Sequence, residues 1–202
     1  TNPRTIHDFW GFPTELSAVF YDGPGDPEIA ELVRDVAKPT LVHNDQEWGL
    51  DHGTWSVLKH MFPDASIPVV QLSIDGTKPL SEHLDLGTRL ARLATEHDVL
   101  IVGSGNVVHN LSLVQWHAGD TGFGWADSFD EAARDIMLGD PDRLEALRDH
   151  EGYTRSVPTP DHFLPLAYIA GVTAAIGGSE VDVFNEQRTM GSLSMTGYRV
   201  AS

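Results

Sequence analysis

Histidine is the residue type best suited to chemistry in this sequence, because ten histidines and no cysteine occur among its 202 residues. Imidazole nitrogens and carboxylate oxygens therefore remain as candidate metal ligands and proton carriers. Four histidines stand beside turn or strand-end signals, where binding residues concentrate: His7, His52, His109 and His162. The other six lie in ordinary helical or loop sequence and are interpreted as surface or core residues.

His109 follows the apolar run at residues 99–102 through a glycine-rich loop at residues 103–106. Such a run is typical of a buried strand, and open α/β sheets bind ligands beyond the carboxyl ends of their strands. The structural alternative is that the glycines permit a tight turn and His109 packs against the next helix. The loop does not match the Gly-x-Ser-x-Gly elbow, so Ser104 is a weak candidate for a hydrolase nucleophile.

His162 lies in the predicted first turn of a helix over residues 161–175. The helix dipole disfavours a protonated imidazole there, so the ring is expected to be neutral and able to bind a metal. The structural alternative is that His162 is an ordinary residue at the start of a helix that Asp161 caps. His52 has glycines on both sides, which allow a ligand to approach or simply form a turn. No His-Glu-x-x-His spacing occurs, so local spacing alone identifies no metal site.

Alternating strand and helix patterns predict the fold that positions these residues. Apolar runs at residues 67–74 and 99–102 indicate buried strands, and an amphipathic helical pattern spans residues 80–96 between them. This order argues for a right-handed crossover between parallel strands. The prediction is an α/β protein with a single domain over residues 1–202 and a mostly parallel central sheet flanked by helices.

The charge of the chain limits its partners. Acidic residues outnumber basic ones by 30 to 13, which gives a formal net charge of −17. A surface of this charge repels polyanions, so nucleic acid is excluded as a partner. No apolar run approaches the ~20 residues that span a bilayer, so no membrane partner is expected. We expect a cytoplasmic protein, monomeric or a small homo-oligomer, that works on a small molecule.

Short motifs occur in a fixed order along nearly the whole chain. They lie at residues 6–9 (Ile-His-Asp-Phe), 48–53 (Trp-Gly-Leu-Asp-His-Gly), 61–65, 67–73, 103–111, 160–166 (Pro-Asp-His-Phe-Leu-Pro-Leu) and 190–195. Together they resemble the catalytic domain of the class III extradiol ring-cleaving dioxygenases. Within that class the order is similar to the small DOPA 4,5-dioxygenase-like group.

The resemblance implies an oxidoreductase that uses non-haem Fe(II) and O2 to open a DOPA-like catechol beside its two hydroxyls. Isolated members of this group often carry zinc. The resemblance also implies roles for individual residues. His162 is then a metal ligand, His109 is the acid–base histidine, and His52 holds substrate or bound oxygen. It assigns no firm role to His7.

The resemblance also implies two further ligand histidines, in motifs near the amino terminus of the family. One motif is a Gly-His-Gly-like loop and the other a Ser-x-His-Trp-like strand end, and neither occurs in this sequence. The expectation is therefore that an N-terminal part of the fold, with two metal ligands, is missing from residues 1–202. Because the chemistry needs a facial set of three ligands, the 202-residue chain is expected to be metal-poor and inactive.

Two other functions stay open at this point. A protein with this fold could bind a metal or a peptide in the same crevice without turnover, or could be a zinc-dependent hydrolase with an activated water. The strong negative charge should repel an anionic substrate, so either a local positive pocket or a zwitterionic substrate is needed. The candidates for that pocket are Arg4, Arg155 and Arg188, and surface solvation is the alternative for each.

Overall fold

The computed structural model describes residues 2–11, 13–177 and 180–201. The chain divides into two compact units, Thr1–Ser73 and Ile74–Ser202. Each unit has its own cluster of buried apolar side chains. The predicted extent of one domain over residues 1–202 stays a prediction.

Three helices are assigned among the described residues of the first unit. They are α1 (Thr14–Ser17), α2 (Pro27–Val36) and α3 (His52–Met61). Helix α2 begins at Pro27, because the Asp26 carboxylate accepts hydrogen bonds from the amides of Glu28 and Ile29 at 2.9 and 3.1 Å. Pro27 then occupies the first helical position, where its missing N–H costs nothing.

The amino-terminal segment of the first unit runs beside the residues that lead into α3. The amide of Ile6 donates to the carbonyl of Leu50 at 2.8 Å, and the amide of Leu50 donates to the carbonyl of Arg4 at 2.9 Å. Trp55 of α3 is buried and its Nε1 donates to the carbonyl of Ile6 at 2.8 Å. These bonds place the residues that follow Ile6 next to the start of α3.

The second unit is mainly helical. Its helices are α4 (Leu80–His97), α5 (Gly124–Gly139), α6 (Tyr153–Ser156), α7 (Leu164–Ile176) and the 3-10 helices Leu111–Leu113 and Pro141–Asp149. Helix α7 is apolar on nearly all sides, which is typical of a buried helix. Helix α7 packs closely on α4 at Gly87. The approach is so close that a Cβ atom at this position would collide with the carbonyl oxygen of Tyr168. Among the described residues, no helix combines the length and apolar character needed to cross a membrane.

The assigned strands of the second unit form two short antiparallel pairs. Strand β1 (Val181–Phe184) pairs with β4 (Gly197–Val200), and β2 (Arg188–Thr189) pairs with β3 (Leu193–Ser194). Helices and strands are both present, but the predicted mostly parallel central sheet is not confirmed.

The predicted strands at residues 67–74 and 99–102 are not assigned as strands. Leu100 and Val102 are 65% and 44% exposed, although their sequence is typical of a buried strand. An apolar β-branched run favours extended backbone, but a strand also needs a neighbour that accepts and donates its backbone hydrogen bonds. No such neighbour is assigned to these two segments within the described part of the chain.

Candidate active site

Two of the predicted histidines meet in the second unit. The rings of His109 and His162 are stacked, with their centroids 3.5 Å apart and their planes at 12°. The amide of His109 donates to the carbonyl of Ser156 at 2.9 Å, and His109 forms an isolated antiparallel bridge with Leu193. The structure therefore joins two histidines that are distant in the sequence, and their individual roles stay predictions.

The glycine-rich loop before His109 approaches the backbone of residue 162. The amide of Asn106 donates to the carbonyl of His162 at 2.8 Å. A Cβ atom at Gly105 would collide with that same carbonyl oxygen. A residue with a side chain at position 105 would therefore push the loop away from His162, so glycine is required for this close approach.

Gly105→Ala is expected to destabilise the protein by about 1–3 kcal/mol, the usual cost of overpacking. The measurement is the free energy of unfolding from urea titration. Ser104→Ala is the matched control, because Ser104 is the exposed neighbour in the same loop. Equal stability of the two variants would contradict the close approach.

The imidazole of His109 is neutral at physiological pH. Burial, and then the neighbouring His162, lower the pKa of His109 to about 4, although Asp161 acts in the opposite direction. The side chain of His162 is 32% exposed, and its Nε2 atom lies 3.5 Å from a carboxylate oxygen of Asp161. A neutral ring retains one nitrogen lone pair, so His109 can accept a proton.

The predicted placement of His162 in the first turn of a helix is wrong. Helix α7 begins at Leu164, and His162 lies in the turn that precedes it. Pro165 occupies the second helical position, where the amide would be unpaired in any case, so the helix can start close to it. The helix-dipole argument for a neutral ring at position 162 therefore does not apply.

A buried carboxylate anchors β3, the strand that contacts the segment before His109. Asp130 in α5 accepts hydrogen bonds from the hydroxyls of Ser194 and Thr196 at 2.5 and 2.7 Å. It also accepts one from a guanidinium nitrogen of Arg188 at 3.1 Å, and Arg188 bonds Asp127 at 2.7 Å. Arg188 therefore faces two carboxylates of its own chain, which argues against its predicted part in a positive pocket.

This network reaches His109 through the backbone. The amide of Ser194 donates to the carbonyl of Val108 at 2.9 Å, and the side-chain amide of Asn106 donates to the carbonyl of Ser194 at 2.7 Å. The two contacts hold Val108, which directly precedes His109, and Asn106, which lies three residues before it. Asp130 thus supports the candidate site without contacting either imidazole.

Asp130→Ala is expected to lower the free energy of unfolding by about 3–5 kcal/mol, because it removes one of the two carboxylates that pair with Arg188 and leaves the buried hydroxyls of Ser194 and Thr196 without their acceptor. Urea titration measures the loss. Asp135→Ala is the control, since Asp135 is in the same helix and its side chain is 79% exposed. A loss below about 1 kcal/mol, on the scale of a surface ion pair, would contradict the proposed anchoring.

In the first unit, His52 is the first residue of α3 and pairs with Asp8. One carboxylate oxygen of Asp8 lies 3.0 Å from the backbone nitrogen of His52 and 2.9 Å from its Nδ1. Burial raises the pKa of Asp8, but the hydrogen bonds from the amide and ring of His52 outweigh it and leave this pKa lowered. His7 lies nearby, and its Nε2 bonds the carbonyl of Val19 at 2.9 Å. Phe9 packs edge-on against both rings.

Asp8 and Asp130 are functional candidates that sequence reasoning missed. Asp8 follows His7 directly in the first of the motifs, and that neighbourhood was the available signal. Asp130 gave no such signal, because an aspartate in an amphipathic helix is ordinarily interpreted as exposed.

Two other arginines were predicted for a positive pocket. Arg4 donates to the carbonyl of Glu47, and Arg155 is exposed.

The donors of the stacked pair suit a non-haem metal, but they do not complete a site. Neutral imidazoles are ligands for iron and zinc. An imidazole lone pair lies in the plane of its ring, and two nearly parallel planes with centroids 3.5 Å apart do not converge on one ion. Within residues 2–11, 13–177 and 180–201, no group of three candidate side chains could hold a metal. Only one of the two histidines can therefore be a ligand of a given metal ion, and a facial set of three ligands needs two more.

Comparison with known proteins identifies the family. Residues 2–201 match the family described as the catalytic LigB subunit of aromatic ring-opening dioxygenase. A 4,5-DOPA dioxygenase extradiol from Escherichia coli K12 is 44% identical over 203 residues, which cover 98% of this chain and 74% of the relative. A protein of the same name from Beta vulgaris is 33% identical, with the same coverage of both chains.

A solved structure agrees with this sequence comparison. A crystal structure of an Escherichia coli K12 protein matches with a TM-score of 0.80 and 37% identity, over 98% of this chain and 80% of that one. The fold is thus a mixed helix and sheet fold of that type. The resemblance inferred from the motifs is confirmed, and the chain belongs to the LigB family of aromatic ring-opening dioxygenases.

Proposed function

We propose that this chain acts in the extradiol opening of a DOPA-like catechol by O2, with His162 as a metal ligand and His109 as the acid–base residue. The observation that carries the proposal is the stacked pair of imidazoles, 3.5 Å apart, in a chain of the ring-opening family. The name of the E. coli and Beta vulgaris relatives, 4,5-DOPA dioxygenase extradiol, supports the substrate class.

Each imidazole has a property that suits its proposed role. The side chain of His162 is 32% exposed, so it can reach a metal ion that enters from solvent. His109 is held neutral by burial and can accept the proton of the second catechol hydroxyl. A bound catecholate would raise the basicity of His109, because a nearby negative charge favours the protonated ring.

The metal proposed is Fe(II), with zinc as another ion that the isolated protein can carry. When bound, it lowers the pKa of a catechol hydroxyl so that the substrate binds as an anion. Of residues 1–202, His162 is the one that we assign as a ligand of this metal, and the E. coli relative is matched over 74% of its own length.

The proposal also gives roles to His52 and Arg155. His52 is assigned the role of holding substrate or bound oxygen, on the strength of its motif and its pairing with Asp8. A cytoplasmic location and a monomer or small homo-oligomer stay predictions. The exposed Arg155 remains a candidate for contacting a substrate carboxylate, whereas Arg188 is paired with carboxylates of the protein.

The experiment uses the full-length product of the gene, loaded with Fe(II) without oxygen and then mixed with DOPA in aerated buffer. The expected result is uptake of one O2 per ring opened, with a yellow product, and neither with metal-free protein. Zinc-loaded protein is assayed in parallel for hydrolysis of small esters. Ester hydrolysis without oxygen uptake favours the hydrolase, and no turnover of any kind favours the binding module. Either result overturns the proposed function.

A further inference from the structure

We propose that Asp8 is a positioning residue, which holds the His52 ring with Nδ1 protonated and Nε2 free to accept a hydrogen bond. The effect of Asp8 on catalysis rests on the proposed function, in which His52 contacts substrate or oxygen. The pairing itself rests only on the geometry of the first unit. The role of Asp8 can therefore be tested in two separable steps.

A single oxygen of Asp8 engages His52 at two points. It lies 3.0 Å from the backbone nitrogen and 2.9 Å from Nδ1 of the ring. His52 begins α3, and the first amides of a helix have no acceptor within the helix. The Asp51 side chain accepts from the amide of Thr54, and Asp8 accepts from the amide of His52. Backbone and ring are thus fixed by the same atom, which restricts rotation of the imidazole.

The chemistry of the acceptor determines the tautomer. An ionised carboxylate only accepts hydrogen bonds, so Nδ1 must carry the proton that is shared with Asp8. In the neutral ring Nε2 then has the lone pair. No hydrogen-bond partner of Nε2 occurs among the described residues, and 47% of the side chain is exposed. A hydroxyl group of a bound ligand can therefore donate to this atom.

The surroundings of Asp8 make the pairing rigid. The nearby Ile6 is hydrogen-bonded on both sides, by its amide to Leu50 and by its carbonyl to the indole of Trp55. The ring of Phe9 packs edge-on against the ring of His52, with the centroids 5.7 Å apart. Only 27% of the Asp8 side chain is exposed, so little water competes for its oxygens. These contacts orient Asp8 before any ligand binds.

The direct test is a side-chain 15N–1H NMR spectrum of the labelled full-length protein. In the wild type, His52 is expected to show the pattern of a ring protonated at Nδ1. Asp8→Ala is expected to remove that pattern, whereas Asp8→Asn is expected to keep it, because the amide oxygen still accepts. His60 is the internal control, since it is exposed and lies near the other end of the same helix.

The second step measures ring opening per bound iron in the same variants. Asp8→Ala is expected to reduce it about 10–100-fold, the equivalent of one hydrogen bond to a charged group, and Asp8→Asn to restore most of it. A wild-type His52 protonated at Nε2 overturns the proposal, even if the alanine variant does not fold. A changed tautomer with an unchanged rate overturns the positioning role. If the wild type opens no catechol, the proposed function fails while the spectrum still decides the pairing.

Discussion

Replacing His162 by alanine is expected to abolish ring opening and to lower the iron affinity of the full-length protein by more than about 100-fold. Loss of a partner that merely supports a ligand already costs about 10–100-fold in metal affinity, and a ligand itself contributes more. The side chain of His162 is accessible, and its Nε2 lies 3.5 Å from a carboxylate oxygen of Asp161. The measurement is iron bound per chain after dialysis against a weak chelator.

His60→Ala is the matched control for this experiment. His60 is an exposed histidine near the end of α3, so its removal should leave both iron content and unfolding unchanged. Iron content equal to that of the wild type in the His162→Ala protein would remove His162 from the ligand set. The stacked pair would then need a different explanation.

Replacing His109 by alanine is expected to slow ring opening by about 10²–10⁴-fold, the usual contribution of a positioned acid–base group. Iron content should not change, because the stacked geometry leaves room for only one of the two rings as a ligand of one ion. The measurement is the maximal rate of product formation with saturating catechol. His117→Ala is the control, since His117 is exposed and follows in the same stretch of chain. Full activity of His109→Ala would refute the assigned role.

The helices were the part of the fold that could be predicted from the sequence, because the signals that define them are local. Asp26 and Pro27 mark the start of α2, and the apolar spacing over residues 80–96 corresponds to α4. The structure of residues 99–102 could not be predicted in the same way. Apolar residues favour extended backbone, but they do not specify the neighbour that completes a sheet. The antiparallel pair of β1 and β4 joins segments that lie near each other in the chain, so its closure costs little entropy.

The candidate site was predictable in its parts but not in its arrangement. The motifs single out His109 and His162 individually, and the structure shows that their rings stack. The anchoring of the loop by Asp130 depends on a partner, Ser194, that is 64 residues away. Sequence periodicity carries no information about such pairs. The pairing of Asp8 with His52 spans 44 residues and was missed for the same reason.

The central claim is that one imidazole of the stacked pair serves the metal and the other moves a proton. The most direct test is the rate of ring opening divided by the amount of bound iron, measured for His109→Ala and wild type. The prediction is equal iron per chain and a rate per iron that falls at least about 100-fold. An unchanged rate per iron, with activity lost only in proportion to lost metal, would contradict the claim.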